Sequence, residues 1–203
     1  MQFVKLYPDN PNKRTIQQIV EVLRDGGIII YPTDTLYAIG CDALNVRAVE
    51  RICRIKGIDP AKASLSIVCN DIGNVAHYAR IDNTTHRIMR KNLPGAFTFI
   101  LPASSGLPKI YKQRKSVGIR IPGNNIARAI VEELGNPLLS TSVATNHDEP
   151  EYTTNPELIA EIYGTMVDYV IDGGEGDIMG STIIDCTGNE PEIVRQGKGE
   201  ISD

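Results

Sequence analysis

A chain of 203 residues, 41% hydrophobic and 23% charged, with a net charge of −4, is long enough to bury a real core, and its composition excludes disordered and fibrous classes. No apolar run approaches the roughly 20 residues that span a bilayer, and the opening MQFVKLYPDNPNKR lacks the apolar stretch of a secretory signal, so a cytoplasmic protein with no membrane partner is expected. The four cysteines are dispersed without a CxxC pair and the three histidines without HExxH spacing, which predicts reduced core thiols and no protein-held metal.

In chain order, Ile16, Ile19, Val20 and Leu23 recur at helical spacing and Asp25-Gly26-Gly27 supplies the stop, after which IIIY reads as a buried strand. Residues 46–56 form a second predicted helix, with Ala48, Val49, Ile52 and Ile55 as its apolar stripe and Arg47, Arg51 and Arg54 on another face. LSIVC follows as a strand, then a broken helical region over 71–92, then strands FTFIL and VGIRI. A helix over 125–134, the strand PLLSTS, a helix over 156–163 and three short strands, DYVID, STIID and EIVRQ, complete the chain. Alternating strands and helices predict an α/β fold, and the closely spaced last three strands predict antiparallel additions, hence a mixed sheet. One unit is expected over 1–203, with its core over about 12–199. The polar stretch 145–155 reads either as a linker or as a loop over a site.

Several strands end in small hydroxyls, as in IIIYPTDT, PLLSTS and GSTIID, while Thr98 sits inside FTFIL. Ligands of open α/β sheets bind beyond the strand ends, so such hydroxyls can floor a cleft; each taken singly also fits a cap or a turn. No GxxxxGK[ST] loop occurs, so a nucleotide would rest on dispersed cations and hydroxyls. Lys56, Arg120 and Arg195 are the candidates, the last two because they interrupt apolar strands where an unpaired charge is costly; a salt bridge to Asp or Glu explains each equally. No GxSxG elbow or other nucleophilic triad is present. Positive residues crowd 47–56, 87–91 and 109–120 while 168–192 is acidic, so a local basic surface can coexist with a negative total.

GGIIIYPTDTLYAIGCDA, PGAFTFIL, VGIRIP, LLSTS, GSTIID and IVRQGKG, in this order, resemble the YrdC-like family, and LYPDNPNKR with ERICRIK resembles its YciO branch. The resemblance implies a twisted mixed sheet flanked by helices around a large, concave, basic cavity. It implies threonylcarbamoyl-AMP synthase chemistry, in which L-threonine, bicarbonate and ATP give threonylcarbamoyl-AMP and pyrophosphate with Mg2+, linked to tRNA threonylcarbamoyladenosine modification. By the same resemblance Thr35 lies at the threonine subsite with Ser140 and Ser181 lining it towards the nucleotide, and Arg120 pairs with the amino acid's carboxylate. Lys56, Thr98, Ser142 and Arg195 face ATP, and Lys56 and Arg120 neutralise charge during reaction. Two departures stand out. The KxR motif of the synthases reads Lys56-Gly57-Ile58, and their SxN motif reads Ser142-Val143-Ala144, with Lys62 as an available substitute cation. The alternative is a binding protein for double-stranded RNA or tRNA without efficient synthase activity, favoured by the arginine stripe and by the cluster KIYKQRK.

Overall fold

Alternation along the central strands builds two separate cores, one on each face of the sheet. The computed structural model describes residues 1–61, 65–112, 115–143 and 149–202, and its strands form one ten-stranded sheet. In spatial order these are β1 (Gln2–Lys5), β8 (Tyr169–Asp172), β2 (Ile29–Tyr31), β3 (Ala38–Gly40), β7 (Leu138–Ser142), β4 (Ser66–Val68), β6 (Ser116–Arg120), β5 (Phe97–Pro102), β9 (Thr182–Asp185) and β10 (Glu192–Arg195). The pairs β1/β8, β8/β2, β4/β6 and β5/β9 are parallel and the others antiparallel, so the sheet is mixed.

One face carries Ile28, Ile30, Ile39, Ile67, Leu139, Ile119 and Phe99. It is covered by α2 (Val46–Lys56), α3 (Ile72–Val75), α4 (Asn83–Asn92), α5 (Lys109–Lys112) and α8 (Pro156–Tyr163). The opposite face carries Ile29, Tyr31, Ala38, Val68, Leu138, Tyr169 and Ile171, packed under α1 (Lys13–Arg24) and α6 (Asn125–Leu134). These two helices cover only part of that face. Beyond Leu138, Val68 and Ala38 the same rows continue as Ser140 and Ser142, Ser66, Gly118 and Arg120, Thr98, and Ile183. A face that is apolar under helices thus turns polar where helices stop.

The helices close as their sequences dictate. Asn45, Asn124 and Asn155 accept backbone N–H bonds at the starts of α2, α6 and α8. Gly57, at φ 63°, ends α2 in a Schellman turn: its N–H donates to Arg54 O at 3.1 Å, and the N–H of Ile58 donates to Cys53 O at 2.9 Å. All four cysteines are buried and free, and burial pushes the Cys69 thiol up to about 12.

Three expectations need correction. β8 does not neighbour β9; it lies between β1 and β2, parallel to both, so only β10 is an antiparallel addition to β9. The ordered sheet starts well before residue 12, because β1 pairs with β8 and Leu6 is buried. The stretch 145–155 is not a linker throughout: residues 149–155 include α7 (Glu151–Thr154), where Thr153 and Thr154 are buried and their hydroxyls donate to Pro150 O at 2.9 and 3.0 Å. The remainder of that stretch, with His147, lies outside the described residues.

Candidate functional site

The polar rows of β7, β4, β6, β5 and β9 floor an inner cavity of about 260 Å³. Thr35, Thr98, Arg120, Ser140, Ser142, Ser181 and Arg195 all line it, so seven of the eight expected site residues meet in one place. The cavity lies on the face of the sheet rather than beyond the strand ends, because serine and threonine alternate with core residues and share a side with Leu138 and Val68. Register explains the convergence: Ser140 pairs with Ser66, and Ser66 with Gly118. At Gly118 a Cβ would collide with Ser66 Oγ and approach Thr98 Cγ2 to 3.2 Å, so its bare backbone keeps the floor open.

The loop of the PTDT motif forms the rim. The Thr33 hydroxyl donates to Leu36 O at 2.7 Å and accepts the Thr35 N–H at 3.0 Å, which fixes Thr35 with its hydroxyl 3.1 Å from that of Thr33. Asp34 accepts from Arg120 Nη2 at 2.9 Å and from the Gly123 N–H at 2.7 Å. Lys198 donates to Asp34 O at 2.8 Å and pairs with Asp177 at 2.8 Å. The Asp177 N–H also donates to Thr35 O at 3.2 Å, so three chain segments, at 120–123, 177 and 198, hold this one loop.

Arg120 is the electrostatic centre. Its ion pair with Asp34 is nearly buried, with side-chain exposures of 9% and 14%, and Arg120 Nε is buried with no hydrogen-bond partner. Burial lowers the Arg120 pKa; Asp34 acts to raise it, and Arg195 to lower it further. Of the two readings open for Arg120, the salt bridge is the one observed, and Asp34 is its partner. Burial likewise pushes the Tyr31 phenol up to about 12, against lowering by Ser140 and Arg120.

Arg195 differs from expectation. β10 is an exposed edge strand over all four residues, so no burial penalty applies there. Its Nη2 donates to Ser181 O at 2.8 Å, while the Ser181 hydroxyl bonds that of Thr98 at 2.7 Å. Lys56 does not line the cavity. Its Nζ donates to Ser142 O at 2.9 Å and reaches Val143 O at 3.4 Å, so it is engaged with the main chain at the β7 end. Ile58 packs against the hydrophobic core, so the position expected to carry an arginine is turned inward. Ala144 and Lys62 lie outside the described residues.

An outer cleft of about 470 Å³ shares Thr35 with the inner cavity and is lined by Asp34, Glu151, Glu175, Asp177 and Lys198. The described hollow is thus basic inside, at Arg120 and Arg195, and acidic at its mouth, rather than basic throughout. The arginine stripe of α2 is interrupted as well: Arg51 pairs with Asp168 at 3.4 Å and donates to Met166 O at 3.0 Å. Residues 113–114 of the KIYKQRK cluster lie outside the described residues. Asp34, Ser66, Gly118 and Lys198 were not singled out in the sequence; only Ser66 carried a local signal, as a lone hydroxyl inside LSIVC.

Such a sheet, with helices on both faces and a hydroxyl- and arginine-lined hollow on one of them, makes this a mixed α/β protein with a candidate ligand site on the sheet face. The chain belongs to the Sua5/YciO/YrdC family, described under telomere recombination, which matches residues 21–197. It is similar to the uncharacterized protein YciO of Escherichia coli K12, at 40% identity over 98% of this chain and 97% of that one. The crystal structure of E. coli YciO matches with a TM-score of 0.89 over 98% of this chain and 97% of that one. The threonylcarbamoyl-AMP synthase of Chromobacterium violaceum is 33% identical over 66% of this chain and 70% of that protein. The structure of P. abyssi Sua5 complexed with L-threonine matches with a TM-score of 0.88 at 26% identity, over 97% of this chain and 58% of that one.

Proposed function

We propose that the cavity is a nucleotidyltransferase site of threonylcarbamoyl-AMP synthase type, binding L-threonine and ATP, with turnover held down by the two altered motifs. The observation that carries this reading is the convergence of Thr35, Thr98, Arg120, Ser140, Ser142, Ser181 and Arg195 on one hollow. The threonine-bound relative supports the amino-acid end. The inner volume of about 260 Å³ falls below the roughly 300–1,000 Å³ of sites that engulf drug-sized ligands, and the contiguous outer cleft supplies the remaining space.

The chemistry needs no enzyme nucleophile. Threonine's amine captures carbon dioxide as a carbamate, a carbamate oxygen attacks the α-phosphate of ATP, and pyrophosphate leaves. The protein supplies positioning and charge neutralisation, through Arg120 at the carboxylate and Arg195 with the hydroxyl row at the phosphates. Magnesium would arrive with the nucleotide as its counter-ion. Ile58 and Ala144 each remove a contact worth ~1–3 kcal/mol, which together corresponds to a loss of roughly 30-fold to 10⁴-fold in rate.

The test is to incubate the protein with ATP, threonine and labelled bicarbonate and to follow threonylcarbamoyl-AMP and pyrophosphate. Slow, threonine-dependent product is expected, rising in an Ile58→Arg/Ala144→Asn variant whose fold is checked by melting, since the introduced guanidinium must turn out of the core. No product from either protein, alongside salt-sensitive binding to duplex RNA or tRNA, would overturn the reading in favour of a binding module.

A further inference from the structure

A second cavity, larger than the first, shares no lining residue with it. It measures about 640 Å³, within the range of small-molecule sites. It opens beyond the carboxyl ends of the parallel strands β4 and β6, between Asn70 and Ile121, where ligands of open α/β sheets commonly bind. Gly95 N–H donates to Ile121 O at 2.9 Å and Cys69 N–H to Arg120 O at 2.9 Å, so its floor is anchored to the sheet.

Its walls join apolar surface to an excess of positive charge, two arginines against one aspartate. Ile72, Ile81, Leu93, Pro94 and Ile121 give the apolar part. Arg90 from α4 and Arg128 from α6 give the cationic part, with His86 beside them. Neither arginine forms an ion pair with a described residue, and Arg128 Nε is buried with no hydrogen-bond partner. The carboxylate in the lining is Asp71, whose Oδ1 is already taken by the Asn74 N–H at 2.7 Å. The first amides of α6 are held by the Asn124 side chain, so the guanidiniums rather than the helix terminus are left to receive an anion.

We infer that this cavity binds an amphipathic organic anion: a carboxylate or phosphate head set between Arg90 and Arg128, with an aromatic or aliphatic body on the isoleucine floor. A guanidinium's planar fork suits either head, and the apolar wall rewards the body. The site stands independently of the chemistry proposed for the first cavity.

The experiment titrates the full chain with 3-phenylpropionate, with phenyl phosphate and with the neutral 3-phenylpropanol, read by backbone amide NMR shifts. Saturable binding of one or both anions is expected, with shifts centred on Ile72, Ile81, Arg90, Ile121 and Arg128, and binding of the alcohol weaker by tenfold or more. The stronger anion tells carboxylate from phosphate. Arg90→Gln and Arg128→Gln should each weaken anion binding at least fivefold and leave the alcohol unchanged; Arg90 is exposed, so its variant serves even where the other fails to fold. Absence of binding by both anions at millimolar concentration, shifts centred instead on Thr35 and Ser140, or equal binding of anion and alcohol would overturn the inference.

Discussion

The ion pair between Arg120 and Asp34 permits a quantitative test of how the site is held. Asp34→Asn preserves the shape and the acceptor for the Gly123 N–H, yet it removes the charge facing a guanidinium that is only 9% exposed. Stripping one partner from a buried pair costs about 3–5 kcal/mol, because the other charge is left uncompensated. The lower end applies here, about 3 kcal/mol, since the pair sits at a cavity wall. For a chain of this size each kcal/mol moves Tm by about 2–4 °C, so a fall of about 6–12 °C is expected by scanning fluorimetry. Arg120→Met should cost less than half as much, because Asp34 keeps its Gly123 bond and some contact with water. Threonine should rescue Asp34→Asn more than it stabilises the parent, because its carboxylate takes the vacated place; at a hundredfold excess over Kd that restores about 2.7 kcal/mol. Threoninol, which lacks the carboxylate, should not. A variant melting within about 2 °C of the parent, or rescued equally by both compounds, would refute the assignment of Arg120 as carboxylate receptor.

Two further outcomes follow from the same geometry. Gly118→Ala places a methyl against Ser66 Oγ and Thr98 Cγ2 and should destabilise by about 1–3 kcal/mol while weakening threonine binding; a titration and a melt both matching the parent would contradict an open floor at that position. Alkaline pH should weaken the fold: burial pushes Cys69 and Tyr37 up to about 12 and Cys186 to about 11. In the unfolded chain thiols titrate near 8.5 and phenols near 10, so this stability is full below about pH 8.5 and is lost as pH rises towards 11–12. The urea midpoint should therefore be lower at pH 10 than at pH 8, and an unchanged midpoint would mean that these groups are not protected.

What the sequence revealed depended on whether the cause was local. The helices over 46–56, 125–134 and 156–163 appear with those bounds, because an apolar stripe and an asparagine cap are read within a few residues. β3 escaped notice as three residues of AIG beside a polar loop, and β1 as an exposed QFVK whose strand character comes from pairing with β8. The place of β8 between β1 and β2 has no signature in the sequence, because periodicity identifies a strand and says nothing of its neighbour. In the site, the alternation of Leu138, Ser140 and Ser142 already encoded a surface changing from apolar to polar, and the resemblance gathered the same residues. The Asp34–Arg120 bond joins residues 86 apart, and the direction of Lys56 depends on where β7 ends against α2; neither has a local signature.

The two ends of the cavity are not equally prepared, and this asymmetry gives the last prediction. At the end proposed to take the amino acid, the Thr33–Thr35 loop is fixed by Arg120, Gly123 and Lys198, so little ordering remains when a ligand arrives. At the other end Lys56 is directed to the carbonyls of Ser142 and Val143, and Ile58 is packed into the core, leaving the exposed Arg195 as the described cation there. Contacts that act on the phosphates as charge develops affect kcat, whereas those that grip threonine equally before and during reaction affect KM. The chain should therefore bind threonine in the absence of ATP, with KM for threonine changed less than tenfold by Ile58→Arg while kcat rises. Calorimetry without nucleotide, followed by steady-state kinetics of the two proteins, measures both halves. Threonine binding that requires ATP, or a gain confined to KM, would mean that the defect lies at the amino-acid end instead.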